Sequence, residues 1–288
     1  MNILEIAQAF AYEANLPAPS TLLSLTDPAD LQILNLIYSV SRDLRQDRCW
    51  PQQKKSYTFT LTANRVKYPL PEDFFSALLR TQWDTTRRWN LNGPMNDAGF
   101  TQRLYGVVRL NAQIAFRVFG PDFNPNTSGG QVWIDPAPAG GEVIYYEYIS
   151  KNLFLPSNWT PSTVIAASSY RNANGLIFFT TAGGTTSTTP PSAAGADGTV
   201  TWTLVSTPYE TVISNSDYSI FDDDVMIIGL MAKWYQMKGL GYEALRAEYE
   251  SKLDEAKGRW AGSFVGSFNR YPGNWLRYRP NTPGGWSF

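Results

Sequence analysis

The chain has 288 residues, of which 24 are basic and 25 acidic, and it contains no histidine and a single cysteine, Cys49. This charge balance does not favour a nucleic-acid-binding protein, whose surface is strongly basic. One cysteine excludes an intramolecular disulfide framework and a cysteine-based zinc site, and the missing histidine removes the commonest catalytic base and metal ligand. We therefore expect a protein that is not an enzyme and has no cofactor, although carboxylate-only chemistry such as glycoside hydrolysis is not excluded.

The remaining composition points to binding surfaces. The chain holds 10 Trp, 16 Tyr and 15 Phe, while 17% of its residues are charged, and aromatic residues concentrate in protein interfaces. The sequence contains no apolar run as long as a membrane span. The N-terminus carries Glu5 and lacks the basic start of a signal peptide, so we expect a soluble protein of the cytoplasm with no membrane contact.

Two helices are predicted at the N-terminal end. Residues 2–14 place apolar side chains at helical spacing, and the segment containing Pro17 and Pro19 ends that helix. Asp27 and Pro28 then predict the start of a second helix, which ends before Pro51. Its inward-facing residues are predicted to be Leu31, Leu34, Ile37, Tyr38, Val40 and Leu44.

Residues 51–155 change to strand patterns. Residues 57–61 alternate between apolar and polar side chains, and residues 66–70 are predicted to pair with them across a turn at Ala63 and Asn64. Further strands are predicted at residues 77–83, 104–108 and 114–119. Residues 131–134 and 143–149 are predicted to form the clearest pair, because the loop DPAPAGG between them consists of chain breakers. The segment is therefore an antiparallel β domain.

Residues 156–206 consist mainly of Thr, Ser, Ala and Gly and read as an inserted small β module. Strands are predicted in NANGLIFFTT and TVTWTLV, with a loop of low complexity between them. Three aromatic residues of this module, Trp159, Tyr170 and Trp202, could stack on sugar rings. Aromatic residues in so small a module are more often its core, so glycan or fibre contact is the minority interpretation.

Residues 215–257 predict two helices separated by a break. Asp222 and Asp223, followed by Asp224, stand where the first helix begins, and carboxylates there accept backbone N–H bonds and interact favourably with the helix dipole. We prefer this capping role to a metal site. Gly239 and Gly241 separate the first helix from a second, which carries the stripe Tyr242, Leu245, Tyr249, Leu253 and Ala256. With the N-terminal helices, these two form a small bundle.

The C-terminal segment, residues 258–288, is aromatic and basic and contains no acidic residue. Its glycines and prolines disfavour a helix, so we predict an extended arm. A helix folded back onto the bundle is the alternative. The residues of the predicted portal or intersubunit interface are Trp260, Phe264, Phe268, Arg270, Tyr271, Trp275, Arg277, Tyr278, Arg279, Trp286 and Phe288.

These segments predict an α+β fold with four parts. Residues 1–50 and 216–258 form the helical bundle, residues 51–155 the antiparallel β domain, residues 156–206 the inserted module and residues 259–288 the arm. The order of several motifs resembles the head-to-tail adaptor (connector) proteins of short-tailed bacteriophages. The motifs are the "YxLPxDF" segment from Tyr68 to Phe74, the hairpin-like segment around Trp133 and Tyr146, the acidic entry from Ser216 to Asp224, and the "GxYxxAxxxYExxLxxA" helix that starts at Gly241.

The resemblance implies a structural virion protein. Such a protein forms a ring, commonly of twelve copies, below the portal protein, connects the head to a tail or nozzle protein and lets DNA pass through its lumen without sequence-specific binding. Its location would be the neck of the virion, after assembly in the host cytoplasm. The small module separately resembles β modules of phage tail and fibre proteins, so a carbohydrate- or fibre-binding protein of the phage particle is the alternative function.

Overall fold

A computed structural model describes residues 1–24, 27–47, 50–78, 80–106, 113–119, 130–205 and 209–260. The helices in this part of the chain are α1 (Ile3–Glu13), α2 (Pro28–Gln46), α3 (Asp97–Tyr105), α4 (Asp223–Lys238) and α5 (Glu243–Trp260). Strands in several antiparallel sheets lie between α2 and α4 in the sequence. The fold is therefore α+β, as the sequence predicts, and no described helix is long and apolar enough to cross a membrane.

Helix α4 is the centre of the helical bundle and packs against α1, α2 and α5. Its first half is buried on nearly every side, including Val225, Met226 and Leu230. Phe10 of α1 meets Trp234 of α4 edge to face, with ring centroids 6.0 Å apart. The bundle thus brings together helices from the two ends of the chain because the first half of α4 is apolar on most of its faces and needs several neighbours.

The N-terminal helices begin where their capping residues predict. Asn2 caps α1 through a capping box with Glu5, and Asp27 caps α2 with Pro28 at the first helical position. The inward face of α2 is rotated slightly from the prediction, because Ile33 and Leu36 belong to the core. Of the residues predicted to face inward, Ile37, Val40 and Leu44 are fully buried, whereas Leu31, Leu34 and Tyr38 are partly buried.

The β domain consists of two facing sheets. Its strands are β1 (Lys54–Thr60), β2 (Lys67–Pro69), β3 (Phe74–Ala77), β4 (Trp83–Asp84), β5 (Trp89–Asn90), β6 (Ala115–Phe119), β7 (Gln131–Asp135) and β8 (Val143–Ser150). One sheet has the order β1-β8-β4-β5, with β3 also paired to β8, and the other has the order β2-β7-β6. An isolated bridge from Asn92 to Ala115 joins them.

Both predicted hairpins of this domain are wrong. Strand β1 pairs with β8 and not with β2, while β7 pairs with β2 and β6 and not with β8. The two strands of each expected hairpin lie in opposite sheets, so that their apolar sides meet in the domain core, where Phe116 of β6 contacts Tyr146 of β8 at 5.8 Å between ring centroids. Burying two apolar faces requires two layers, which a single hairpin cannot provide.

Two predicted strands are also wrong. The strand expected at residues 104–108 begins in the last turn of α3, whose N-cap Asn96 accepts a hydrogen bond from the Gly99 N–H, and residues 107 and 108 lie outside the described residues. Of the strand expected at residues 77–83, only Ala77 in β3 and Trp83 in β4 belong to strands among the described residues, and residue 79 lies outside them. Between them Arg80 has a φ of 66°, a left-handed conformation that ends a strand.

The β module (residues 156–205) has its own sheet. Its strands are β10 (Val164–Ile165), β11 (Ser169–Ala173), β12 (Leu176–Thr180), β13 (Gly184–Thr185), β14 (Gly195–Asp197) and β15 (Val200–Leu204). Two short strands on either side of the module in the sequence, β9 (Phe154–Leu155) and β16 (Tyr218–Ser219), pair with each other. The main sheet has the order β11-β12-β15-β14. Positive φ angles at Asn174 and Gly175 form the tight turn between β11 and β12.

The sheet of the β module contributes to two cores. Phe178 and Trp202 lie in a small core on one face, whereas Ile177 belongs to the core of the helical bundle. Tyr170 and Val205 pack against the bundle core on the same side as Ile177. Adjacent residues of β12 thus point to opposite faces, as strand geometry requires, and dock the module onto the helices.

Helix α5 extends beyond the predicted start of the arm. It continues through Gly258 to Trp260, so the first two residues assigned to the arm are helical. A glycine near a helix end costs only about 1 kcal/mol, and Arg259 in the last turn forms an ion pair with Asp222. The rest of the predicted arm, residues 261–288, lies outside the described residues.

Candidate functional site

The beginning of α4 and the end of α5 meet at one carboxylate. Asp222 caps α4, because its Oδ1 accepts hydrogen bonds from the backbone N–H groups of Asp224 at 3.1 Å and Val225 at 3.5 Å. Its Oδ2 accepts a hydrogen bond from the Arg259 guanidinium at 3.0 Å. A single side chain therefore fixes the last turn of α5, from which residues 261–288 follow, onto the first turn of α4.

The other acids at this helix start are explained by the fold. Asp223 accepts a hydrogen bond from the Met1 amine at 2.6 Å, and Asp224 is exposed in the first turn of α4, where a negative charge is favoured by the helix dipole. Among the described residues, no group of three or more His, Cys, Asp or Glu side chains could hold a metal ion. The geometry agrees with the capping role of Asp222.

The segment that leads into α4 is fastened to the N-terminus of α1. The carboxylate of Asp217 accepts hydrogen bonds from the Ile213 N–H at 2.8 Å, the Ser214 N–H at 2.9 Å and the Tyr209 hydroxyl at 3.0 Å. Burial raises the pKa of Asp217, against the lowering effect of these hydrogen bonds. Its backbone carbonyl accepts a bond from the Ile3 N–H at 2.7 Å, so this acid joins both ends of the bundle.

Close backbone packing brings α2, α4 and α5 together. At Gly229 of α4, an added Cβ would lie 2.9 Å from the side chain of Val40 and 3.0 Å from the ring of Tyr249. Polar contacts surround this point, because the Lys233 ammonium lies 2.6 Å from the Asp43 carboxylate and the Lys257 ammonium lies 3.0 Å from the Asp47 carboxylate. The helix that precedes residues 261–288 thus packs against α4 at Gly229 and is joined to α2 by the ion pair of Lys257 with Asp47.

An open groove of about 540 Å³ runs between α2 and α4. Most of the surface exposed in the groove is apolar, but its lining mixes apolar and polar residues, namely Pro28, Leu31, Gln32, Asn35, Leu36, Ser39, Lys233, Gln236 and Met237. Met237 is 54% exposed, and Leu240, just beyond the end of α4, is 51% exposed. An apolar groove with exposed aliphatic side chains on a helical bundle is the kind of surface that a partner covers.

Most of the predicted interface residues cannot be placed in this geometry. Trp260 is the last residue of α5. The others lie outside the described residues, namely Phe264, Phe268, Arg270, Tyr271, Trp275, Arg277, Tyr278, Arg279, Trp286 and Phe288. Their role as an interface stays a prediction.

Two of the three aromatic residues for which glycan contact is the minority interpretation meet at a carboxylate. The indole N–H groups of Trp159 and Trp202 both donate to Asp197 Oδ2, at 2.7 Å and 2.9 Å. Burial of the Asp197 carboxyl would raise its pKa, but the hydrogen bonds from Ser187 and the two indoles lower it. Trp202 is 1% exposed, so its ring is part of the module core and is not available as a stacking platform.

Tyr170 lies on the other side of the module sheet. Its ring contacts Phe179 at 4.7 Å and Tyr209 at 5.7 Å between centroids, and it packs against the core of the helical bundle. The structure therefore does not bring Tyr170 together with Trp159 and Trp202. A sugar-binding surface that uses all three residues would have to span both faces of the sheet.

Sequence reasoning missed the role of Asp73 within the "YxLPxDF" segment. Its carboxylate accepts hydrogen bonds from the Ser150 hydroxyl at 2.7 Å, the Tyr148 hydroxyl at 2.8 Å and the Lys55 ammonium at 2.8 Å. Burial alone would raise the pKa of Asp73, but the Lys55 charge and these hydrogen bonds lower it. Tyr68 of the same segment donates its hydroxyl to the Thr62 carbonyl and accepts from the Thr62 N–H. The segment thus ties β1, β3 and β8 together.

Two other buried carboxylates of the β domain also have partners, although the buried Oδ2 of Asp84 has no hydrogen-bond partner within the described residues. Glu142 forms an ion pair with Arg87 at 2.5 Å, and Asp84 accepts hydrogen bonds from the backbone N–H groups of Thr86 at 2.9 Å and Arg87 at 3.0 Å. Carboxylates that serve as acid and base in glycoside hydrolysis must face a substrate cleft. These acids instead stabilise turns and strand ends.

Comparison with known proteins identifies one family. The family model described as SU10 adaptor protein matches residues 1–174, which include α1, α2, the β domain and the first strands of the β module. A comparison with curated proteins found no match.

Proposed function

Because this chain belongs to the SU10 adaptor protein family, a family of structural phage proteins, we propose that it forms a ring below the portal protein in the neck of a short-tailed phage virion. The ring holds twelve copies, connects the head to a tail or nozzle protein and lets DNA pass through its lumen. The family match over residues 1–174 is the observation that carries this proposal. It covers both N-terminal helices of the bundle and the complete β domain.

The contacts within the bundle support a role for the arm (residues 261–288) in docking to the portal or to a neighbouring copy. The arm leaves a helix whose last turn is attached to the cap of α4 by the 3.0 Å bond between Arg259 and Asp222. It contains the arginines Arg270, Arg277 and Arg279 and no acidic residue. A basic, aromatic segment that starts from a fixed point suits recognition of carboxylates and apolar pockets on a partner.

The groove between α2 and α4 supports lateral association. Ring-forming proteins use two different surfaces that meet head to tail, and an apolar groove of about 540 Å³ offers one of them. The proposed ring would cover Met237 and Leu240, which are about half exposed in the single chain. Tail fibres are a further proposed partner, through the β module.

Reconstitution with the portal protein tests this function. The full chain is mixed with purified portal rings of the same phage, and the complexes are separated by sedimentation and imaged by electron microscopy. We expect the full chain to form rings on the portal, and a variant truncated after Trp260 to lose binding about a hundredfold while keeping its helical circular dichroism. A matched control keeps the length of the arm but replaces its arginines by glutamine.

A full chain that stays monomeric in the presence of portal would contradict the ring. If the truncated chain bound the portal as tightly as the full chain, the docking role of the arm would be contradicted, but the proposed ring would not. The alternative function, glycan binding by the module, is not favoured by a specific contact, because Trp202 is buried and the indole N–H groups of both tryptophans are bonded to Asp197.

A further inference from the structure

One row of side chains crosses the sheet formed by β1, β8, β4 and β5. Tyr145 of β8 pairs with Thr58 of β1 on one side and with Trp83 of β4 on the other. Trp83 in turn pairs with Asn90 of β5. Directly opposed residues of antiparallel strands lie on the same face of the sheet. Because neighbouring strands are about 4.8 Å apart, this row is about 14 Å long.

The row lies on the face of the sheet that points away from the domain core. Ile144 and Tyr146, the two neighbours of Tyr145 in β8, are buried in that core, so Tyr145 points outward by strand alternation. Trp83 is 44% exposed, and the residues at both ends of the row are exposed as well. Tyr145 is partly exposed, as expected for a ring with a neighbouring strand on each side.

The two aromatic rings of this row have no stacking partner among the described residues, since neither another ring nor a cation lies on them. The outward face of the other sheet shows the contrast. There the Trp133 ring lies 4.1 Å from the Phe119 ring between centroids, and the Lys67 ammonium lies 4.0 Å from the Trp133 centroid. The rings of Trp83 and Tyr145 are therefore available to a ligand in a way that the Trp133 ring is not.

Polar side chains border the two rings. The Glu147 carboxylate, two residues along β8, accepts a hydrogen bond from the Tyr145 hydroxyl at 2.8 Å. The side-chain carbonyl of Asn90 accepts a bond from the Gln113 amide at 2.8 Å, so the amide N–H groups of Asn90 remain as donors. Thr58 adds a hydroxyl at the other end of the row. The row thus combines two aromatic rings with hydrogen-bond donors and acceptors.

This combination suits a sugar better than a protein. The C–H face of a pyranose ring is apolar and packs on an aromatic ring, while its hydroxyls need hydrogen-bond partners. The core of a protein interface is depleted in Glu and Ser, whereas Glu147 and the paired Ser56 lie next to the two rings on this face. A sheet face also binds oligosaccharides in OB-fold domains.

We propose that the outward face of this sheet binds a glycan. Sugar rings pack on Trp83 and Tyr145, and their hydroxyl groups bond to Glu147 and to the polar side chains at the two ends of the row. The row is long enough for a short oligosaccharide. This site lies in the β domain and uses none of the aromatic residues of the β module. The inference goes beyond the proposed function, which assigns no ligand to this face.

Titration of the full chain with defined oligosaccharides tests the proposal. The probes are cellohexaose, chitohexaose and maltohexaose, each added up to about 10 mM. Binding is followed by tryptophan fluorescence and by isothermal titration calorimetry. We expect at least one of the three to bind with a dissociation constant of about 0.1–1 mM.

Three variants of the chain locate the binding. Trp83→Ala removes one ring, and we expect it to weaken binding at least about tenfold. Glu147→Gln keeps the shape of the side chain but removes its charge, and we expect a loss of about fivefold to tenfold. Trp89→Ala is the matched control, because Trp89 is 50% exposed in β5 but pairs with Asp84 and so lies on the other face. It should bind as the original chain does.

Circular dichroism shows whether each variant is folded. Should Trp83→Ala not fold, the comparison of Glu147→Gln with Trp89→Ala decides alone. The proposal is overturned if none of the three oligosaccharides binds, if Trp89→Ala weakens binding as much as the other variants do, or if Trp83→Ala and Glu147→Gln bind as the original chain does.

A protein partner on this face would give a different result. Trp83→Ala would then abolish ring formation on the portal while no oligosaccharide binds, and the face would be an interface between copies of the chain. Sugar binding is measured without the portal protein. A chain that binds an oligosaccharide but forms no ring would contradict only the proposed function, and a ring that binds no oligosaccharide would contradict only this inference.

Discussion

Replacing Asp73 by alanine should destabilise the β domain, because this carboxylate accepts hydrogen bonds from two buried hydroxyl groups. The change leaves the hydroxyls of Tyr148 and Ser150 without their acceptor, and these residues are 4% and 0% exposed. Each buried unpaired donor costs about 1–3 kcal/mol. Lys55 adds little, because its side chain is 31% exposed and can be hydrated. We expect the free energy of unfolding to fall by about 3 kcal/mol.

Urea denaturation near pH 7, followed by circular dichroism, measures this loss. Asp97→Ala is the matched control, because that carboxylate pairs with Arg117 but is 85% exposed, and we expect a change within about 0.5 kcal/mol. If Asp73→Ala unfolded at the same urea concentration as Asp97→Ala, the hydrogen-bond network around Asp73 would not stabilise the domain and the reasoning would be refuted.

The same carboxylate predicts a pH dependence. Because the folded chain holds the pKa of Asp73 below its ordinary value, the stabilisation is complete above the unfolded pKa of about 3.9 and is lost as the pH falls through the lower, folded pKa. The original chain should therefore lose more stability than Asp73→Asn between about pH 5 and pH 2. Parallel acid profiles for the two chains would contradict the prediction.

Three further substitutions concern the bundle and the module. Gly229→Ala should lower the free energy of unfolding by about 1–3 kcal/mol, because the new methyl group would lie 2.9 Å from the Val40 side chain. Gly258→Ala, whose new methyl group would have no atom within 4 Å, should raise it by up to about 1 kcal/mol. If the midpoint temperature of thermal unfolding moved in the same direction for both variants, this pair of predictions would be contradicted. Trp202→Phe should lower the free energy of unfolding by about 1–3 kcal/mol, because it removes the buried hydrogen bond from the indole N–H to Asp197. Unchanged protection of the module amides from hydrogen exchange would show that this bond does not stabilise the module.

The helices could be predicted because their signals are local. Asp27 with Pro28 and Asp222 with its neighbouring acids identify the helix starts within one residue, since capping involves groups only two or three positions apart. The end of α5 was less predictable. Its last turn is held by an ion pair between Arg259 and Asp222, which are distant in the sequence, and a glycine at position 258 gave no indication of that contact.

Strand pairing could not be predicted from the turns. The loop between β7 and β8 and the turn between β1 and β2 carry the residues of hairpin connections, yet each connects one sheet to the other. The residues of a turn do not determine whether the two strands that it connects pair with each other or lie in opposite sheets around one core. Helix α3 was missed because Leu104 was assigned to a strand, although Asn96 and the residues after it carry a helix-start signal.

The candidate sites likewise divide into one that the local sequence predicts and others that depend on contacts between distant residues. Asp222 could be assigned because the capping pattern surrounds it in the sequence. The two-indole arrangement on Asp197 could not, because Trp159 and Asp197 are brought together only by the module fold. The small size of the module already favoured a core role for these aromatic residues, but that Tyr170 packs against the helical bundle, on the other face from Trp202, follows only from the fold.

The position of strand β12 has a consequence for stability. Phe178 belongs to the core of the β module, while the adjacent Ile177 belongs to the core of the helical bundle. Tyr170 of β11 and Val205 pack against the same bundle core. The module and the helices therefore share one apolar core at this surface, so a substitution that loosens the packing there should lower the stability of both.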